Sequence, residues 1–203
     1  MSKLFKIRDS EITNNHIDLI KKDNHKIIYI NRFTFNSNID ILQDTQITEL
    51  VIDSSSFNQP INKLPDTLKY LLIFSGRFNQ PLDNLPQLTH LSIGGTDFNQ
   101  SIDNLPNSLL CMQLCIYNKS FINKYTTISN LPNSLKLFQV DMLLEKDETS
   151  SITIILPEQT ELYIYGLDKS KFISNVEIKD AKSCKDLYRT YFREKYNFEL
   201  YGY

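Results

Sequence analysis

Few residues in this chain have the types and spacing that chemistry needs. Asp83 and Asp103 recur twenty positions apart. Paired carboxylates do acid–base work when their surroundings push their pKa values apart. These two instead mark equivalent places in a repeated segment, which predicts exposed turn residues. His16, His25 and His90 stand in unlike local contexts, and Cys111, Cys115 and Cys184 lack metal-ligand spacing. Along a strand, Cys111 and Cys115 would lie ~13 Å apart, too far for a disulfide. There is no phosphate-binding glycine loop, zinc motif or nucleophile elbow. The residues therefore point away from an enzyme and call for no metal and no cofactor.

The bulk properties narrow the remaining classes. The 203 residues are 41% hydrophobic with a net charge of −2, enough for a core and without the basic field that nucleic acid requires. No apolar run is long enough to span a bilayer, and the first fifteen residues lack a secretory signal. An odd number of cysteines without a disulfide framework suits reduced thiols in the cytoplasm.

What organises the chain is repetition. "SFNQPINKLPDTLKYL" begins at Ser56, "RFNQPLDNLPQLTHL" at Arg77 and "DFNQSIDNLPNSLLCM" at Asp97. The Leu-Pro pairs starting at Leu64, Leu85, Leu105, Leu131 and Leu156 step by 21, 20, 26 and 25 residues. An alternating apolar pair follows each: Leu71/Ile73, Leu91/Ile93, Met112/Leu114, Phe138/Val140 and Leu162/Ile164. Ile28/Ile30 and Leu50/Ile52 extend the series backwards, to seven units. Alternation predicts a strand. One strand per ~20–29 residues is the leucine-rich-repeat period. The expected fold is α/β: a short solenoid with a parallel sheet on its concave face and a mostly irregular convex side of turns and 3₁₀ pieces. Phe78 is expected to turn inward, Asn79 to bond backbone groups of its own turn, and Pro86 to steer the chain towards the next strand.

The pattern F-N-x-x-I/L-x-x-L-P-x-S/T-L-x-x-L-x-L/I resembles the FNIP repeat, a short leucine-rich-repeat variant abundant in social amoebae and in giant DNA viruses of amoebae. The resemblance covers residues 28–178 and is strongest at 50–114. It implies a protein-interaction solenoid, often joined to an F-box that recruits a ubiquitin ligase. Residues 1–27 are too few and too polar to resemble an F-box. They are expected to cap the first unit, and residues 179–203 to form a C-terminal capping helix. Ala181, Cys184, Leu187, Tyr188, Tyr191 and Phe192 would be its apolar stripe. Residues 115–130 and 143–155 interrupt the period.

Between the inward residues of each strand stand those that should line the concave face. Tyr29 and Val51 come first. Tyr70, Leu72 and Phe74 follow as an exposed apolar cluster, then His90, Gln113, Gln139, Tyr163 and Tyr165. This face is the expected binding site for a protein partner. The alternatives are a structural or self-associating component of a viral assembly, forming a homo-oligomer, and a ubiquitin-ligase-linked substrate adaptor. Neither nucleic acid nor membrane is an expected partner, and the expected location is cytoplasmic (host cytoplasm for a viral protein).

Overall fold

The structure, a computed structural model, describes residues 3–117, 121, 124–142, 151–165 and 169–180. The chain is a parallel β-solenoid of about seven turns. The seven expected alternating segments are all strands: β2 (Ile27–Asn31), β3 (Glu49–Asp53), β4 (Tyr70–Phe74), β5 (His90–Gly95), β6 (Cys111–Ile116), β8 (Leu137–Met142) and β10 (Glu161–Tyr165). β1 (Leu4–Ile7) is added at one end and β12 (Ile178–Asp180) at the other, so nine parallel strands stand in the order β1-β2-β3-β4-β5-β6-β8-β10-β12.

Each strand offers its alternating pair to one core. Ile28, Leu50, Leu71, Leu91, Met112, Phe138 and Leu162 form one buried row, and Ile30, Ile52, Ile73, Ile93, Leu114, Val140 and Ile164 the next. Beneath them, Phe35, Phe57, Phe78, Phe98 and Phe121 stack unit upon unit at centroid spacings of 5.9–6.1 Å. All five are fully buried, and a buried side chain of this size stabilises the fold by ~1.5–3 kcal/mol. No single unit could bury such a row, which is why the array is needed.

The polar motif residues stitch one unit to the next. The hydroxyls of Thr67, Ser108 and Ser134, in the Leu-Pro-x-Ser/Thr segment, donate to the carbonyls of Ile47, Leu88 and Leu109 in the preceding unit. In the same segment Leu68, Leu109 and Leu135 close a turn onto the carbonyl of the proline three residues earlier. The 20-residue unit is shortened here, and Leu88 bonds Pro86, only two residues back.

Three features differ from the sequence expectation. The Asn of Phe-Asn bonds across units rather than within its own turn: Asn36, Asn58 and Asn79 each accept, at Oδ1, the backbone N–H of the equivalent Asn one unit on, at 2.8–2.9 Å. The convex side is turns and a 3₁₀ piece (Asp40–Leu42) in the early units, but it carries a second parallel sheet in the longer units. That sheet consists of β7 (Thr127–Ile128), β9 (Ile152–Ile154) and β11 (Phe172–Ser174). The extra residues of those units thus supply strands, and Phe121 continues the phenylalanine stack inside one of them. Finally, an α-helix, α1 (Asn14–Lys22), stands near the N-terminus. Lys179 and Asp180, placed in a C-terminal helix by sequence, belong to β12, where pairing with β10 satisfies their backbone. The rest of that expected helix, residues 181–203, lies outside the described residues.

Candidate partner-binding face

Pairing in register aligns the outward residues of the main sheet into three rows. Ile27, Glu49, Tyr70, His90, Cys111, Leu137 and Glu161 form the first. Tyr29, Val51, Leu72, Ser92, Gln113, Gln139 and Tyr163 form the second. Asn31, Asp53, Phe74, Gly94, Cys115, Asp141 and Tyr165 form the third. All ten residues singled out by sequence stand in these rows, because side chains alternate strictly across each strand.

The rows divide into two chemistries. At the β2–β4 end, Tyr29, Val51 and Leu72 form an apolar cluster separate from the main core, with Leu4, Tyr70 and Phe74 packed on it. Tyr70 stacks on His90 at 4.3 Å with the rings 17° apart. Phe74 leans across the neighbouring strand onto Gly94, where a Cβ would stand 2.9 Å from its ring. Glycine is therefore the seat of that aromatic ring. Tyr29 leans the same way, its Oη donating to Asp53 Oδ2 at 3.2 Å, while Asn31 Nδ2 donates to both.

At the β8–β12 end the face is polar. Glu161 accepts from Tyr163 Oη and from Lys179 Nζ, each at 2.9 Å, and the ammonium also lies 5.6 Å from the Tyr163 ring centre. The hydrogen bond from Lys179, then that from Tyr163, holds the Glu161 carboxyl below its ordinary value. The same bonds to Glu161 raise Tyr163 and Lys179. Between the two ends, Tyr117 Oη donates to Asp141 Oδ2 at 3.1 Å.

Exposure departs from the expectation. Leu72, expected to be exposed, is 7% exposed, and Phe74 is half-buried. Val51 has no exposed surface, Tyr29 has 6%, Ser92 3% and Gln139 1%. Tyr70, His90, Gln113 and Tyr163 are half-buried, and Tyr165 is exposed. Alternation decides which way a side chain points and says nothing of what lies above it. Two members of the site escaped sequence reasoning. Leu4 joins the apolar cluster from β1, and Lys179 joins Glu161 from β12; the alternation in "LFKI" was the available signal for the first.

Asp83 and Asp103 are exposed turn residues, each accepting from an Asn of the next unit. Thr13 donates its N–H to His16 Nδ1 at 3.0 Å, which leaves His16 Nε2 to donate to Asp9 at 3.1 Å across the start of α1. Burial pushes the Cys111 thiol up to about 11, away from the thiolate a nucleophile needs. Among the described residues no group of three or more His, Cys, Asp or Glu could hold a metal ion, and no helix is long and apolar enough to cross a membrane.

Comparison with curated proteins finds no match. A family model does match, over the units in which the phenylalanine stack and the asparagine ladder are most regular. Residues 57–96 match the model of the FNIP Repeat, and that stretch of the β-solenoid is similar to it.

Proposed function

We propose that the chain is a non-enzymatic module that binds a protein partner through the outward face of its main sheet. The observation that carries this reading is the apolar cluster of Tyr29, Val51 and Leu72, with Tyr70 and Phe74 packed on it, held apart from the main core on a rigid parallel sheet. A solenoid core needs only the inward rows. A second cluster of aromatic and aliphatic side chains, followed along the same rows by Gln113, Gln139 and the Glu161–Tyr163–Lys179 group, has the make-up of an interface: an apolar centre beside hydrogen-bonding groups.

Proximity labelling in the native cell would nominate partners. Affinity capture would then compare the full chain with a Tyr70→Lys/Gln113→Lys variant, with folding checked by circular dichroism. Both positions are half-buried and outward, so the scaffold tolerates them better than a core change. Loss of a partner from the variant supports the reading, and equal recovery of every partner overturns it.

A second reading has its own observation. Ile155 and Ile173, beside and within the second sheet, are large exposed aliphatic residues on the other side of the molecule. They favour self-association through that side. Light scattering over a concentration series tests it, and a monomer throughout removes it.

A further inference from the structure

Two cross-unit ladders run along the turns that precede the strands, and both break at the same place. In the first, the hydroxyls of Thr67, Ser108 and Ser134 reach carbonyls of the unit before. The rung onto Leu68 is missing, because Gln87 is followed directly by Leu88, with no Ser or Thr between them. In the second ladder, Lys63 donates to Asp40 at 3.0 Å, Asn104 to Asp83 at 3.2 Å and Asn130 to Asp103 at 3.5 Å. The repeat predicts the same bond from Asn84 to Asn62. Instead Asn84 adopts a left-handed backbone with φ 59°, and neither amide side chain is hydrogen-bonded among the described residues.

A cleft of about 360 Å³ stands where the two rungs are missing. It is lined by the carboxamides of Gln43, Asn62, Asn84 and Gln87 and by the carboxylate of Asp66. None of these five side chains makes a hydrogen bond among the described residues. Leu64 and Leu85, both buried, and Pro86 add apolar surface. We propose that this cleft binds a neutral saccharide of one or two rings.

The chemistry of the lining selects that class. A carboxamide offers two N–H donors and a carbonyl acceptor, and a sugar hydroxyl both donates and accepts. Four carboxamides and a carboxylate in one cleft therefore match a run of neighbouring hydroxyls, while Leu85 and Pro86 suit the C–H face of a ring. The volume falls within the ~300–1,000 Å³ of small-molecule sites. An anionic ligand fits less well. Lys63, the cation of the lining, is paired with Asp40 at 3.0 Å, and Asp66 carries the repelling charge. A nucleobase fits less well too, since no aromatic ring lines the cleft to stack upon it. The lining includes no residue of the three outward rows, so the cleft stands apart from the partner-binding reading.

Saturation-transfer NMR on the full chain tests the proposal. The probes are glucose, galactose, mannose and N-acetylglucosamine, with maltose, cellobiose, lactose and chitobiose. At least one should receive transfer from the protein, with a Kd of about 1 mM or tighter. Asn84→Gly removes the amide and suits the left-handed backbone; it should weaken that sugar about fivefold or more. Asn104→Ala changes the equivalent residue one unit on, where the rung is made, and should leave the Kd within about twofold. Inserting a threonine between Gln87 and Leu88 restores the hydroxyl rung and should abolish binding, with the fold checked by circular dichroism. Should that insertion fail to fold, the contrast between Asn84→Gly and Asn104→Ala decides alone. Transfer to no member of the panel overturns the proposal, and so does an equal Kd for those two variants.

Discussion

Asn79 donates its backbone N–H to Oδ1 of Asn58 at 2.9 Å and offers its own Oδ1 to the N–H of Asn99 at 2.8 Å. Asn58 and Asn79 thus each close a bond with the unit before and the unit after. Gln80 and Gln100 add a second donor to the same acceptors, at 2.9 Å. The Phe-Asn-Gln motif is in this sense a joint between units rather than a turn signal. Asn79→Ala strands the Asn99 N–H and should cost ~1–3 kcal/mol. Asn79→Asp keeps an acceptor at the same place and should cost less. Urea unfolding of both variants checks the order.

Two glycines should respond in opposite ways. A Cβ on Gly95 would meet the Ser75 carbonyl oxygen at 2.3 Å, and that oxygen is backbone. A Cβ on Gly76 would meet Ser55 O and Thr96 Oγ1 at 3.6 Å, which is ordinary contact. Gly95→Ala should therefore destabilise by ~1–3 kcal/mol through forced strand displacement. Gly76→Ala should stay within about 0.5 kcal/mol of the parent. Paired thermal melts decide it.

The strand register was legible because Phe, Asn and Leu-Pro recur as fixed landmarks and the alternating pairs follow each Leu-Pro at a nearly constant interval. Five strands came from those landmarks, and the alternating pairs Ile28/Ile30 and Leu50/Ile52 added the first two of the seven. The second sheet was not legible. β7, β9 and β11 are two or three residues long and lie in the units that break the period, so neither alternation nor repetition marks them. The burial of Val51 and Leu72 was hidden for another reason. Sequence periodicity tells which face a residue joins, and burial depends on whatever else lies on that face. The cross-unit asparagine bonds were also missed, since local side-chain preference gives no direction between units.

The Cys111 thiol supplies a pH test. Its pKa stands at about 11 because burial disfavours the thiolate, against 9.0 for the unperturbed group. Above the unfolded value the unfolded chain loses this proton while the folded chain keeps it. Stability from this residue is thus intact below pH 9 and declines between 9 and about 11. The loss should approach roughly 2–3 kcal/mol at the upper end. Cys111→Ala lacks the titrating group, so the difference in urea stability between parent and variant should shrink as pH rises through that window. A difference that stays constant across the window would count against a buried, neutral thiol.

The two-sided sheet, with a core on one face and the proposed binding surface on the other, is tested most directly by Phe74 and Phe78. They are four residues apart and identical in kind; Phe78 stacks between Phe57 and Phe98 with no exposed surface, and Phe74 lies half-buried on Gly94. Urea unfolding of Phe78→Ala should show a loss of ~3–5 kcal/mol, as for other buried aromatics. Phe74→Ala should cost about 1 kcal/mol. Equal losses would contradict the account, because Phe74 would then belong to the core and the outward rows would not be a separate face.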